Sequence, residues 1–112
     1  MTIRELIARC GLEGVAVPDP GAGVASAYTS DLLSDVMAHC PEGAALITVQ
    51  NHTNTVAVCT LVGATAVVVV HAREIPDEMR EAAAREGVAL LRTADNQFVA
   101  SCKIGAALSA DA

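Results

Sequence analysis

The sequence predicts an α/β domain with a largely parallel sheet, on three observations. Short apolar runs alternate along the chain with segments whose apolar residues recur at helical spacing. The run Thr65 to Val70, TAVVVV, lacks the in-out alternation of a half-exposed strand and reads as the centre of a sheet covered on both faces. Gly11, Gly63 and Gly87 each stand where a helical segment stops before the next strand. Strands and helices alternating this closely imply right-handed crossovers between parallel neighbours.

Thr2 and Glu5 form the sequence pattern of a capping box, and Ile3, Leu6, Ile7 and Cys10 give the first helix one buried stripe. Val15 to Val17 reads as a short strand, closed by the turn-prone Pro18-Asp19-Pro20-Gly21. Val24 to Tyr28 reads as the next strand. Ser30 then caps a helix with Leu32, Leu33, Val36, Met37 and Cys40 inward and Asp31, Ser34 and Asp35 outward. Ala45 to Val49 is a strand, and Thr53 to Val62 a helix so uniformly apolar that it needs cover on nearly every side.

After TAVVVV, Ile75-Pro76-Asp77-Glu78 opens a helix to Glu86, with Met79, Ala82 and Ala83 inward and Glu81 paired to Arg85. Val88 to Leu91 is a further buried strand. Thr93 caps a last helix carrying Phe98, Val99, Cys102 and Ala106. The reading is one domain over residues 1 to 108, with 109 to 112 as a disordered tail. Crossovers all of one hand would put every connecting helix on one face. Either the first and last helices then cover the other face, or a second subunit does.

Composition narrows the function. The 112 residues are 53% hydrophobic but only 2% aromatic, so the core is aliphatic, and folding at this size buries roughly 65% of the unfolded chain's surface. A formal charge of -6 with Lys103 as the sole lysine leaves no basic stripe for phosphates, and aromatic platforms for bases are lacking. Nucleic acid is not an expected partner. No signal segment or membrane span is legible, which predicts a cytoplasmic protein with no membrane association. Cys10, Cys40, Cys59 and Cys102 read as reduced core thiols, with no metal and no cofactor expected, although His39 beside Cys40 leaves one conceivable metal pair.

The stretch ITVQNHTN, residues 47 to 54, concentrates hydrogen-bonding groups at a strand-to-helix corner. In a parallel sheet the carboxyl ends of the strands gather ligands, because free backbone N–H groups and helix dipoles converge there. Asp31, Ser34, Gln50, His52 and Asn54 are therefore the candidate ligand-binding residues. In the alternative, Asn51, Thr53 or Asn54 caps the helix and His52 satisfies a loop carbonyl.

Two motifs resemble the DRTGG domain family. Tyr28, Asp31, Leu32, Leu33, Ser34, Val36 and Met37 match its Tyr-x-x-Asp-Leu-Leu-Ser-x-Val-Met segment. Thr48, Gln50, His52, Asn54, Ala57 and Val58 match its Thr-x-Gln-x-His-x-Asn-x-x-Ala-Val segment. The likeness spans roughly residues 1 to 105 in this reading, but GAGVASA stands before Tyr28 where the family has Thr-Gly-Gly. The resemblance implies a three-layer α/β/α fold like the amino-terminal domain of HPr kinase/phosphorylase, with a mostly parallel, mixed sheet of about five strands. It also implies a regulatory, dimer-forming role.

Kinase activity is not expected, since the chain has no G-x-x-x-x-G-K-[ST], and neither tight binding of ATP with magnesium nor its hydrolysis should be found. The leading expectation is a non-catalytic regulatory or ligand-sensing module, homodimeric, taking a small anionic or nucleotide-like metabolite. Second is a pure dimerisation or assembly domain for a partner enzyme. A small hydrolase using His52 with Ser34 and Asp35 ranks last, for want of a nucleophile elbow.

Overall fold

The computed structural model describes residues 1 to 111. In chain order the elements are α1 (Ile3–Cys10), β1 (Glu13–Ala16), β2 (Ser26–Thr29), α2 (Leu33–His39), β3 (Ala44–Thr48), α3 (Thr53–Val62), β4 (Ala66–Val69), α4 (Asp77–Glu86), β5 (Ala89–Arg92) and α5 (Gln97–Asp111). The five strands form one sheet in the order β1-β5-β4-β3-β2. Strands β2 to β5 are parallel, and β1 joins β5 antiparallel with a bulge between Gly14 and Ala16.

From β2 to β5 the chain steps one strand at a time through α2, α3 and α4. Those three helices share one face, where Val36, Val56, Cys59, Met79 and Ala83 pack with Leu46, Val67, Val69 and Leu90. On the other face α1 and α5 bring Ile3, Leu6, Ala100 and Ile104 onto Ala45, Ile47, Val68 and Leu91. Val67 and Val69 thus point one way and Val68 and Val70 the other, which is why TAVVVV shows no alternation. The result is the expected three-layer α/β/α fold with a mostly parallel, mixed sheet. The first and last helices supply the cover that would otherwise require a second subunit.

The start of α1 follows the capping-box expectation. Thr2 Oγ1 accepts from the Glu5 amide at 3.2 Å, and Glu5 Oε1 accepts from the Thr2 amide at 3.1 Å. Gly63 ends α3 at φ 75°, a conformation that favours glycine, and its N–H bonds Cys59 O.

Several local expectations are corrected. Leu32 and Met37 are 64% and 55% exposed rather than inward, because α2 has only seven residues and buries only Val36 completely. Ser30 does not cap α2; its hydroxyl accepts from the Leu32 amide at 3.2 Å in a turn before the helix. Likewise Thr93 does not cap α5. Its hydroxyl takes the Asp95 amide, and Asn96 Oδ1 accepts from Val99 N at 2.9 Å as the helix begins. The buried side of α5 carries Ala100 and Ile104, leaving Phe98 76% exposed and Cys102 outside.

Arg85 lies 3.8 Å from Glu86, its neighbour, rather than pairing with Glu81. Helix α5 continues through residues 109 to 111 where a disordered tail was expected. Asp111 is held there by the Met1 amino group at 2.9 Å and by Arg9 at 3.5 Å. Residue 112 lies outside the described residues. No described helix is long and apolar enough to cross a membrane.

Candidate functional site

The carboxyl ends of β2 to β5 are tied into a belt of polar contacts. Immediately after β2, Asp31 Oδ1 accepts from Thr48 Oγ1 at 3.1 Å, from the Val49 amide at 2.9 Å and from Gln97 Nε2 at 2.6 Å. One carboxylate therefore joins the ends of β2 and β3 to the first turn of α5. Gln50 Nε2 returns a bond to the Asp31 carbonyl at 2.6 Å, and the Gln50 amide donates to the fully buried Thr48 hydroxyl. Farther along, Asn51 Nδ2 donates to Glu74 O at 2.7 Å, Arg73 to Val49 O, and Arg92 Nη1 to Arg73 O at 3.4 Å.

Strand β4 leaves the sheet through two consecutive non-glycine residues at positive φ, His71 at 61° and Ala72 at 49°. Such backbone costs roughly 1–2 kcal/mol per residue. It is held by the His71 amide donating to Asp95 O and the Ala72 amide to Thr93 O, at 2.9 and 2.8 Å. Lys103 in turn fixes Asp95 at 2.8 Å.

Of the candidate residues, the structure brings Asp31 and Gln50 into direct contact. Ser34, in the first turn of α2, and His52 and Asn54, at the start of α3, are exposed and make no side-chain hydrogen bond with a described residue. None of Asn51, Thr53 and Asn54 caps α3. His52 occupies the cap position in extended backbone and contributes no side-chain bond. The first turn of α3 thus keeps hydrogen-bonding capacity beside two uncommitted polar side chains. Thr55, in that same turn, is fully buried, and its hydroxyl has no partner among the described residues.

Asn54 borders a groove of about 510 Å³ between α3 and α4, lined also by Thr53, Val56, Thr60, Ala82 and Arg85. That volume lies within the ordinary range of about 300 to 1,000 Å³ for small-molecule sites.

The hydrolytic set of Ser34, His52 and Asp35 is not assembled. Asp35 instead takes the Tyr28 hydroxyl at 2.7 Å on one oxygen and His39 Nδ1 at 3.0 Å on the other. The Tyr28 hydrogen bond, then those of Ser30 and His39, hold the Asp35 carboxyl below its usual value, and the same bond pushes the Tyr28 phenol up. Burial raises the Cys59 thiol to about 12, so it is no nucleophile at neutral pH. Among the described residues no three His, Cys, Asp or Glu side chains gather as a metal site, and the His39–Cys40 pair finds no third ligand.

Sequence reasoning missed Arg73, Arg92 and Gln97 as members of the belt. The two arginines had a legible signal, since each falls within a few residues of the end of a buried apolar strand.

No protein-family model matches the chain, and no curated protein matches it in sequence. Among solved structures it is similar to the crystal structure of the CBS and DRTGG domains of the regulatory region of Clostridium perfringens pyrophosphatase, complexed with the activator diadenosine tetraphosphate. The TM-score is 0.75 at 15% identity, over 96% of this chain and 47% of that one. This chain therefore spans about half of that regulatory region. Its fold is DRTGG-like, as the Tyr28 and Gln50 motifs imply.

Proposed function

We propose that this chain is a regulatory, ligand-sensing module that works as a homodimer and performs no chemistry of its own. The observation that carries this reading is the likeness, over nearly the whole chain, to a regulatory region crystallised with a nucleotide activator. The corner supports it: Asp31 and Gln50 form a fixed wall, while Ser34, His52 and Asn54 remain available to a ligand. Backbone N–H groups at the start of α3 favour a small anionic or nucleotide-like metabolite, and in the adjoining groove Arg85 and Glu86, 3.8 Å apart, offer a donor and an acceptor side by side. Asp31 opposes a bare anion, but its carboxylate already has three donors.

The test is a thermal-shift screen of nucleotides, phosphorylated metabolites and divalent metals. A ligand should raise the melting temperature of the wild type. His52→Ala should abolish that shift and leave the unliganded melting temperature unchanged, because the His52 side chain is exposed and makes no hydrogen bond with a described residue. No shift with any compound, together with loss of unliganded stability in His52→Ala or Asn54→Ala, would leave the assembly reading in its place.

A further inference from the structure

The two edges of the sheet are defended differently. Edge strand β1 carries Glu13 and a bulge and runs into Pro18, devices that keep an edge from pairing with another chain. Edge strand β2, Ser26-Ala27-Tyr28-Thr29, has no charge, no proline and no bulge, and no described strand pairs with its outer side. Of the four exposed large hydrophobics, Phe98 lies on α5, which packs against β2, and Leu32 and Met37 follow β2 in the chain, before and within α2.

Beside β2 runs a groove of about 490 Å³, lined along the strand by Ala25, Ala27 and Thr29 and along α5 by Ser101, Gly105 and Leu108. The Thr29 and Ser101 hydroxyls meet at 2.8 Å, while Ala25 and Leu108 border its other end. Helix α5 therefore runs opposite to β2: seven helical residues cover roughly 10 Å, and the four strand steps from Thr29 to Ala25 roughly 13 Å. At 3.6 residues per turn, Phe98, Ser101, Gly105, Leu108 and Ser109 fall within about 100° of one another around α5. One helix face thus carries an exposed phenyl ring at one end and a hollow of small residues at the other.

We infer that this face is the homodimer interface, with β2 pairing antiparallel to the β2 of a second copy about a two-fold axis beside Ala27 and Tyr28. The inference rests on the homodimer reading above. The same axis sets the two α5 helices antiparallel, so each Phe98 ring enters the other copy's hollow near Gly105 and Leu108. A knob and a hole on one face are self-complementary in the manner a two-fold interface demands, and this specifies a second copy rather than an unrelated peptide. A standard interface takes about 800 Å² from each partner, roughly 15% of the 5306 Å² surface of one copy. Phe98, set away from the axis at one end of the face, is the large exposed side chain that each copy buries in the other, which makes it the anchor.

Sedimentation velocity on the whole chain tests this with Phe98→Glu, Gly105→Leu and, as control, Leu61→Glu in the α3–α4 groove. An added Cβ at Gly105 meets nothing within 4 Å, and Phe98 is exposed, so both variants should fold with unchanged circular dichroism. The wild type should sediment at twice 11.4 kDa. Phe98→Glu and Gly105→Leu should each weaken self-association on the order of 100-fold, while Leu61→Glu remains dimeric. Dimeric Phe98→Glu and Gly105→Leu beside a monomeric Leu61→Glu would overturn the inference and move the interface to the α3–α4 groove, leaving the homodimer reading intact. A wild type monomeric throughout the micromolar range would overturn both, without touching ligand binding. Retained dimers in all three variants would also exclude this face.

Discussion

Asp31 shows how a residue that reads as a ligand contact can be a structural joint. Its carboxylate collects donors from β3, the segment after it and α5, and removing it leaves the Thr48 hydroxyl and Val49 amide without their acceptor. Asp31→Ala should therefore destabilise the free protein by about 1 to 3 kcal/mol, the usual cost of orphaned partners, as read by urea unfolding. Asp35 gives the pH dependence. Its folded value lies below its ordinary 3.8, chiefly through the Tyr28 hydroxyl, so its contribution is present above that value and is lost as pH falls through the depressed one. The Tyr28 phenol, raised by the same bond above its ordinary 10.0, loses its contribution as pH rises through the raised value. Melting temperatures of wild type and Tyr28→Phe should differ most between those limits and converge well below pH 3.8 and well above pH 10; a constant difference would remove the hydrogen bond as its source. Residue types at the corner were legible, but the partner of Asp31 was not, because Gln97 lies 66 positions away.

At the scale of elements, the two-sided burial of β4 makes a specific demand. Val67 and Val68 pack into different cores, so Val67→Ala and Val68→Ala should each cost about 2 kcal/mol, measured by denaturant unfolding. A bare face would spare one of them. Here the sequence was informative: four consecutive valines in a short run imply cover on both sides. It was uninformative where apolar residues surround a helix. In α5, Phe98, Val99, Cys102, Ile104, Ala106 and Leu108 leave no single stripe, and the choice of Ala100 and Ile104 as the buried side was made by the sheet and α1. The antiparallel direction of β1 was equally hidden, since four residues of strand carry no mark of polarity.

For the whole molecule, the motifs at Tyr28 to Met37 and Thr48 to Val58 indicated the architecture before any contact was known. The likeness to the pyrophosphatase regulatory region agrees with them in fold. The covered sheet faces remove one reason for a second subunit, and the undefended β2 edge with Phe98 provides another. Neither the groove between α3 and α4 nor the free groups at the start of α3 was visible as a shape in the sequence, because both depend on how far apart two packed helices sit. The most direct test of ligand sensing at this corner is amide chemical-shift mapping with the compound giving the largest thermal shift. The perturbed amides should cluster at residues 50 to 57, around Ser34 and along 82 to 86, and vanish in His52→Ala. Perturbations confined to the β1 edge or the start of α1, with the corner unmoved, would contradict the account.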